Sequence, residues 1–295
     1  MMYWMKYAVS GFMGFWVFQF LIKAACVYWL SQSEEPIAQL YFGRQNAEVL
    51  VVGNSRALRL FSDSAFKDNL GMSSANLSVQ SGSTKISLTI LNDYLERHSK
   101  PKVIIHEITD LIRKDGAVQT LRVYAGASPR LRAIQCQVES KWAIGGKILP
   151  TLDFNSQEFR EWAAQVVRGK PSYLLETEMS SEIGEGVSQM GFAQYNSTKD
   201  NLDALTEIKD LCEKLGIQYI PVVAPLFPSY LEKISNFDEW INKAKMELGD
   251  DCPVADYSSH KALAKPELYA DHTHINRRGV KVFFELIRKD VRLGQ

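Results

Sequence analysis

The feature that most restricts how this chain can fold is a long apolar stretch near its amino terminus. Residues 7–30 are dominated by Phe, Val, Ala, Leu, Ile and Trp, and about 20 apolar residues suffice for a helix to cross a bilayer. Aromatic residues flank both ends, as in the belts at membrane interfaces. The sequence therefore predicts one transmembrane helix over residues 7–30, within an anchor segment 1–33 that has a short cytoplasmic end.

A cleaved signal peptide is the alternative interpretation of this stretch. The apolar run is too long for a signal peptide, however, and no small-residue cleavage site follows it. Gln19 and Lys23 are its polar exceptions. Lys23 is able either to extend its amine to the membrane interface or to face a partner helix.

Charge divides the chain into two unequal parts. The full sequence balances 34 Lys and Arg against 34 Asp and Glu, yet only Lys6 and Lys23 precede Glu34, which leaves residues 34–295 with a net charge of −2. This balance excludes a generally basic nucleic-acid binder. Because Lys6 precedes the span and acidic residues follow it, the positive-inside rule predicts a single-pass protein of the cytoplasmic membrane whose body faces the periplasm or cell exterior.

The four cysteines leave the redox compartment open. Cys26 lies in the span, and Cys136, Cys212 and Cys252 have no metal-ligand spacing. A Cys212–Cys252 disulfide and unpaired structural cysteines are both compatible with the sequence.

Beyond the span, short runs rich in β-branched residues alternate with amphipathic helical patterns. Such runs are typical of strands buried on both faces. The predicted strands are 47–52, 103–105, 217–223 and 254–257, and the predicted helices are 85–98, 197–215, 237–248 and one that begins near residue 276. This alternation predicts one α/β domain over residues 34–295, built as a three-layer α/β/α sandwich around a parallel sheet.

Residues 112–195 interrupt this pattern and are predicted to form an insertion. A helix is predicted there only at 157–167, and the remainder is expected to be irregular. Long insertions of this kind serve as lids or partner surfaces in some folds and are merely decorative in others.

Ser55 is the first candidate catalytic residue. It follows the first predicted strand of the body, in the sequence VVGNSRAL at residues 51–58. Parallel α/β sheets place their active sites at the carboxyl ends of strands, and the start of a following helix offers N–H groups to an oxyanion. Gly53 permits the sharp turn that exposes the hydroxyl. A helix N-cap serine is the ordinary alternative at such a position.

A second pattern lies near the carboxyl terminus, where residues 271–279 are DHTHINRRG. A carboxylate three residues before a histidine on a tight turn can accept its Nδ1–H, which leaves Nε2 as a base. Asp271 and His274 therefore complete a predicted Ser-His-Asp triad with Ser55. Asn276 is expected to cap the last helix.

A metal site is the rival interpretation of this pattern. Asp271, His272 and His274 are all possible ligands, but no further His or Cys cluster in the sequence supports a metal. Histidines in a solvated loop are the third interpretation. Under the triad hypothesis we expect neither a metal nor another cofactor.

The two patterns together resemble the SGNH (GDSL-like) hydrolases and acyltransferases. In that family the nucleophile block follows the first strand and an Asp-x-x-His block precedes the last helix. The resemblance thus implies that Ser55 is the nucleophile, Asp271 the acid and His274 the base, on a flavodoxin-like parallel sheet. Gly-Asn-Ser-Arg stands where the family has Gly-Asp-Ser-Leu, a form similar to membrane-anchored members that act on cell-surface polymers.

The middle of the chain matches the family less closely. Residues 76–82, NLSVQSG, look like its second block, which implies that the Gly82 N–H joins the Ser55 N–H in the oxyanion hole. The third block normally supplies an asparagine after a strand, whereas residues 106–110 are HEITD. Asn92-Asp93 mimics that block but lies in a predicted helix. Because loss of one donor costs roughly 2.7–4 kcal/mol of transition-state stabilisation, we expect slow hydrolysis of simple esters.

The resemblance implies acyl transfer through a serine ester. An O-acetyl or other small acyl group would move to or from an exported cell-envelope polysaccharide, and the residues do not separate a hydrolase from a transferase. Anchored relatives often act beside a multi-pass membrane acyltransferase, so the resemblance also implies such a partner. The alternatives are a non-catalytic scaffold or glycan-binding subunit on the same fold, and metal-dependent hydrolysis at the Asp/His cluster.

Overall fold

The computed structural model describes residues 2–61, 65–67, 71–155, 159, 186–187 and 189–290. The chain divides into two compact units. One unit combines residues 1–44 with 118–171, and the other combines residues 45–117 with 172–295. Part of the predicted insertion therefore groups with the amino-terminal helix, and the rest belongs to the unit that contains the sheet.

Helices and strands are numbered along the chain. The α-helices are α1 (Met2–Ser31), α2 (Pro36–Phe42), α3 (Ser55–Leu60), α4 (Thr84–Arg97), α5 (Pro129–Val138), α6 (Ser140–Ile148), α7 (Lys199–Leu215), α8 (Pro228–Leu231), α9 (Phe237–Leu248) and α10 (Arg277–Asp290). The strands are β1 (Val49–Val52), β2 (Ser74–Asn76), β3 (Val103–Glu107), β4 (Gln218–Val223) and β5 (Ala255–Asp256). Short 3-10 turns lie at Ile108–Ile112, Asp115–Gln119, Arg122–Tyr124, Pro150–Phe154, Lys261–Leu263 and Pro266–Leu268.

The longest element of the first unit is α1. Over Tyr7–Ser31, 25 residues, it is long and apolar enough to cross a membrane, and 6% of its apolar window is buried inside the structure. That low burial distinguishes α1 from the core helix of a soluble protein. Helix α1 packs against α2 and against the turn Pro150–Phe154, which in turn packs against α6.

Helices α5 and α6 correct the expectation that this part of the insertion is irregular. Ser128 accepts a hydrogen bond from the Leu131 N–H at 3.0 Å and so caps α5, and Pro129 occupies the first helical position. A capping serine followed by proline is a strong start signal for a helix. The weak apolar periodicity of the segment concealed it. Of the helix predicted at 157–167, only residue 159 lies among the described residues.

The second unit is built on a five-stranded sheet in which all neighbouring strands are parallel. Its order is β2-β1-β3-β4-β5, one of the common orders of doubly wound α/β sheets. The α/β class and the parallel sheet were predicted correctly. In a parallel sheet the carboxyl ends of all strands lie along the same edge, so the residues that follow β1 and β3 are brought close together.

Strand β2 is the one strand of this sheet that the sequence pattern did not predict. It has three residues, Ser-Ala-Asn, without a β-branched side chain. It pairs with β1 from Val49 opposite Ser74 to Val51 opposite Asn76. Backbone pairing with β1 at the edge of the sheet places it there, and Ala75 and Asn76 are buried.

Two apolar clusters cover the sheet. One joins alternate residues of β1, β3 and β4 to aromatic residues that include Phe61, Phe283 and Phe284. The other joins Val223 to apolar residues of α7 and α9. Since successive side chains of a strand point to opposite faces, the separation of Val222 and Val223 between the clusters shows that both faces are covered at β4.

All four cysteines are free thiols in the structure. Cys212 and Cys252 are buried. Burial raises the pKa of the Cys212 thiol to about 12 and that of the Cys252 thiol to about 11. Of the two alternatives for this pair, the structure has the unpaired one.

Candidate active site

A sharp turn at the end of β1 presents Ser55. Gly53 has φ +142°, and a Cβ at this position would lie 3.0 Å from the Glu107 carbonyl oxygen and 3.0 Å from the Ala57 Cβ. Asn54 caps α3, because its side-chain oxygen accepts the Arg56 N–H at 2.9 Å. The glycine and the cap together place Ser55 at the first position of α3, next to the carboxyl edge of the sheet.

The predicted triad residues are brought into hydrogen-bonding contact. Ser55 Oγ lies 3.0 Å from His274 Nε2, and His274 Nδ1 lies 2.9 Å from Asp271 Oδ2 and 3.0 Å from Oδ1. With Asp271 accepting the Nδ1–H, Nε2 is left as the acceptor for the serine hydroxyl proton. These are the contacts that general-base activation of a serine requires.

Asp271 is held as a carboxylate. Burial alone would raise its pKa, but hydrogen bonding and charge from His274, together with hydrogen bonds from Thr273, outweigh burial and lower the pKa well below its usual range. The Thr273 N–H and hydroxyl donate to Oδ1 at 2.8 and 2.9 Å, and the His274 N–H donates at 2.9 Å. A permanent negative charge therefore orients the imidazole.

Asn276 and Gly279 fix the loop that carries the acid and the base. The Asn276 side-chain NH₂ donates to the carbonyls of Glu267 and Tyr269 at 2.9 and 3.2 Å, and its oxygen accepts the N–H groups of Arg278 and Gly279. A Cβ on Gly279 would collide with the Leu268 carbonyl oxygen. Asn276 thus caps α10, as predicted.

The two predicted oxyanion donors differ in their surroundings. The Gly82 N–H donates to the Val79 carbonyl at 2.8 Å, inside a tight turn where Ser81 has φ +58°. This turn contacts the turn that presents Ser55, because the Val79 N–H donates to the Gly53 carbonyl at 3.0 Å. Within the described residues the Ser55 N–H has no acceptor. Ser55 therefore offers an unused donor, whereas the Gly82 donor is engaged as the turn stands.

Residues 106–110, which replace the expected asparagine block, form buried support for the site. The Glu107 carboxylate accepts the Thr109 hydroxyl at 2.6 Å and the Ala224 N–H at 3.2 Å, and Thr109 accepts the Asn54 side-chain NH₂ at 3.0 Å. Burial raises the pKa of Glu107, and the nearby Arg56 charge opposes that shift. Asn92-Asp93 lies in α4, as expected.

The sequence pattern did not predict the contacts between basic and aromatic residues that lie beside the triad. Arg56 is buried, and its Nη2 donates to the Tyr195 hydroxyl at 2.7 Å. Arg56 also lines a small open cleft with Arg59, Thr273 and His274. The one available signal in the sequence was a charged residue directly after the serine in an otherwise uncharged turn.

The rival metal interpretation finds no ligand cluster. In the described residues no group of three or more His, Cys, Asp and Glu side chains is placed to hold a metal ion. The His272 ring packs against the Tyr230 ring at a centroid distance of 4.5 Å, and burial lowers its pKa. His272 thus contacts an aromatic ring while His274 contacts the serine.

The chain was also compared with known proteins. A scan against models of known protein families finds no match, and a search of curated protein sequences finds none either.

Proposed function

We propose that this protein is a serine-dependent acyl-transfer enzyme of the SGNH type. The observation that carries the proposal is the 3.0 Å contact between Ser55 Oγ and His274 Nε2, with Asp271 on the opposite ring nitrogen. Two residues that lie 219 positions apart in the sequence meet there with the order acid–base–nucleophile. A capping serine and a solvated loop histidine have no need of this contact.

The reaction follows from the positions of these atoms. His274 Nε2 takes the Ser55 hydroxyl proton, the oxygen attacks the carbonyl carbon of an ester, and the Ser55 N–H stabilises the oxyanion. As the bond to the alcohol breaks, His274 returns the proton to the leaving oxygen and an acyl-serine remains. Water or a sugar hydroxyl then attacks the acyl-serine, with His274 again as the base, and Ser55 is regenerated. Water gives hydrolysis, and a sugar hydroxyl gives transfer.

The proposed family and layered fold rest on the same features. The nucleophile turn follows β1, the Asp-x-x-His loop precedes α10, and the sheet order is β2-β1-β3-β4-β5. Apolar clusters on both faces at β4 support a three-layer α/β/α sandwich.

The proposed position of the protein in the membrane limits the substrates that it meets. Helix α1 supports a single-pass anchor in the cytoplasmic membrane, and the charges that flank it support a body on the outer side. A protein held there meets exported polymers, so we propose an O-acetyl or other small acyl group on a cell-envelope polysaccharide. A multi-pass membrane acyltransferase is the proposed partner, as the resemblance to anchored family members implies.

A fluorophosphonate probe tests the nucleophile directly. The intact protein in detergent should be labelled at Ser55, the Ser55→Ala variant should not be labelled, and the exposed-loop control Ser99→Ala should be labelled at the wild-type rate. Analysis of envelope polysaccharide from cells with wild-type or Ser55→Ala protein then identifies the acyl group and the direction of transfer. Absence of labelling in folded wild-type protein would overturn the proposal.

A non-catalytic scaffold or glycan-binding subunit is the second candidate. The engaged Gly82 N–H favours it, because a site with one unused oxyanion donor stabilises the transition state poorly. This candidate predicts a folded protein that the probe does not label and an envelope polysaccharide whose acylation is unchanged by Ser55→Ala.

A further inference from the structure

A buried arginine beside the triad has hydrogen-bonding capacity that the protein leaves unused. Arg56 is 5% exposed, and its Nη2 donates to Tyr195. Its Nε and Nη1 are buried and have no hydrogen-bond partner in the part of the chain that the structure describes. Buried polar groups are nearly always paired, and a guanidinium carries only donors. The partner that Arg56 lacks is therefore an acceptor.

The Glu107 carboxylate does not fill this role. Its charge acts on Arg56, but its oxygens accept the Thr109 hydroxyl and the Ala224 N–H, and neither Nε nor Nη1 of Arg56 has a hydrogen bond to it. Burial also raises the pKa of Glu107, which favours its neutral form.

The surroundings of Arg56 open toward the reacting atoms. The small open cleft that it lines also contains His274, whose Nε2 contacts Ser55, and a second arginine, Arg59. Among the described residues no acidic side chain lines this cleft. Charge and donor chemistry therefore select an anion within a few ångströms of the triad, because arginine prefers carboxylate and phosphate.

We propose that this cleft binds an oxyanion group, a carboxylate or a phosphate, borne by the glycan whose acyl ester reaches Ser55. Arg56 anchors the anion through its two unused nitrogens. The proposal rests on the proposed function and names its substrate class: an acidic envelope polysaccharide rather than a neutral one. The acid group then holds the sugar in place while the neighbouring ester meets the serine.

The test compares acidic and neutral sugars as competitors of fluorophosphonate labelling, with full-length protein in detergent. Galacturonate should slow labelling of Ser55 at a concentration at least tenfold lower than its methyl ester, which has the same sugar ring without the charge. Galactose 6-phosphate against galactose forms the phosphate arm, and the stronger acid competitor identifies the source of the anion. Equal potency of acids and neutral sugars in both arms would overturn the proposal.

Variants assign the effect to Arg56. Arg56→Gln should remove the preference for acid over ester, while Arg97→Gln, at the end of α4 and the opposite edge of the sheet, should keep it. If Arg56→Gln does not fold, the comparison of galacturonate with its methyl ester on wild-type protein still shows whether the cleft prefers an anion.

Failure of the anion proposal is separable from failure of the proposed function. Galacturonate, unlike its methyl ester, should raise the thermal midpoint of Ser55→Ala, in which no chemistry occurs. If the probe leaves folded wild-type protein unlabelled, the proposed function is wrong, yet this thermal difference still tests the cleft. No thermal difference overturns the anion site alone.

The first unit carries a second, independent feature: a contact between α1 and the insertion whose depth in a membrane follows from its position along the helix. Gln19 lies within the apolar helix, is 8% exposed, and accepts a hydrogen bond from the Thr151 hydroxyl. At 1.5 Å per residue, Gln19 is roughly 18 Å from Ser31 at the end of the helix. Half of the hydrocarbon core is only about 15 Å thick. If α1 crosses the bilayer along its normal with Ser31 at the outer boundary of this core, the turn Pro150–Phe154 therefore contacts it close to the bilayer midplane.

The side chains around this contact suit that environment. The Arg132 guanidinium is paired with the Asp153 carboxylate, with Nη1 to Oδ1 at 2.8 Å, and both side chains are nearly buried. Lys23 Nζ lies beside them, 4.0 Å from where a Cβ of Gly126 would be. Charged groups at membrane depth occur paired and turned away from lipid. These polar residues of the insertion and of α1 thus shield one another.

Helices α5 and α6 expose four large apolar side chains. Val138, Trp142, Ile144 and Ile148 are all substantially exposed, from 38% for Trp142 to 56% for the two isoleucines. We infer that these side chains lie among lipid acyl chains. The occupant of this surface is the membrane itself.

Brominated lipids test this placement. Bimane attached at Ile144→Cys, in a Cys26→Ala and Cys136→Ala background, should be quenched at least twofold in vesicles of acyl-brominated phosphatidylcholine relative to unbrominated ones. Bimane at Met246→Cys, an 81% exposed site on α9, is the matched control and should not be quenched. No quenching at position 144 in the full-length reconstituted protein would overturn the inference.

Discussion

At the scale of single residues, the candidate site separates two histidines that the sequence presents almost as equals. His272 and His274 are one residue apart, yet the first packs on Tyr230 and the second contacts Ser55. The reason is the turn: Asp271 accepts the Thr273 and His274 N–H groups, which aims the second imidazole back over the carboxylate. A spacing of three residues was therefore the informative part of the motif.

Replacing each histidine tests this assignment. His274→Ala should lower the rate of Ser55 acylation by roughly 10⁴-fold or more, because it removes the base. His272→Ala removes only an aromatic contact and should leave the rate within about tenfold. Stopped-flow measurement of probe labelling compares the two variants, and equal losses would mean that the base is misassigned.

Replacing the acid tests the role of its charge. Asp271→Asn keeps the shape but donates where the carboxylate accepts, so the rate of Ser55 labelling should fall by about 10⁴-fold.

Because the folded-state pKa of Asp271 is lowered, its ionised form stabilises the fold above the unfolded pKa of about 3.9. This stability is lost as the pH falls through the folded pKa. Urea unfolding should therefore show wild type more stable than Asp271→Asn at pH 7, with a difference that shrinks below about pH 4. A difference that is constant with pH would contradict this linkage.

At the scale of elements, the strand-to-helix turn between β1 and α3 positions Ser55, the proposed nucleophile. Three elements pack closely around Gly53. The Glu107 carbonyl of β3 and the Ala57 side chain of α3 lie 3.0 Å from where a Cβ would be, and the turn at residues 79–82 donates a hydrogen bond to the Gly53 carbonyl. Space for a side chain is lacking at Gly53, and its φ of +142° is unfavourable for any residue with a Cβ.

Gly53→Ala should therefore destabilise the fold and displace the serine. Backbone strain of this kind costs of order 1–3 kcal/mol, so chemical denaturation should show a loss of that size together with slower probe labelling. Gly116→Ala is the control, because a Cβ at Gly116 meets nothing within 4 Å. Comparable stability of the two variants would show that the turn is able to relax.

At the scale of the whole molecule, the chain combines the apolar α1 with a slightly acidic remainder. Helix α1 is almost entirely unburied over its apolar window. Both polar exceptions in the apolar stretch lie near the insertion, since Gln19 accepts the Thr151 hydroxyl and Lys23 Nζ lies near Gly126.

The proposed topology predicts how the protein behaves in cells. It should stay in the membrane fraction after alkaline carbonate extraction, and protease added to spheroplasts should digest the body while a tag on the amino terminus stays protected. A cytoplasmic protein with the same tag is the control for intact spheroplasts. Digestion of the tag alone would reverse the proposed orientation.

The sequence by itself determined the elements whose signals are local. Buried β-branched runs predicted β1, β3 and β4, apolar periodicity predicted α4, α7, α9 and α10, and the Asp-x-x-His spacing predicted the hydrogen bond of Asp271 to His274. These succeed because each depends on neighbours a few residues away. Helices α5 and α6 have weak periodicity, so their capping signal was overlooked.

Only the tertiary structure decided which distant groups meet. Ser55 and His274 are joined because β1 and the last loop end at the same edge of the sheet, and the unused nitrogens of Arg56 follow from the packing of Tyr195 and Glu107 around it. The engaged Gly82 N–H depends on a turn conformation that the NLSVQSG motif does not encode. Burial and hydrogen-bond satisfaction are properties of the packed chain, whereas length, apolar pattern and short-range spacing are already present in the sequence.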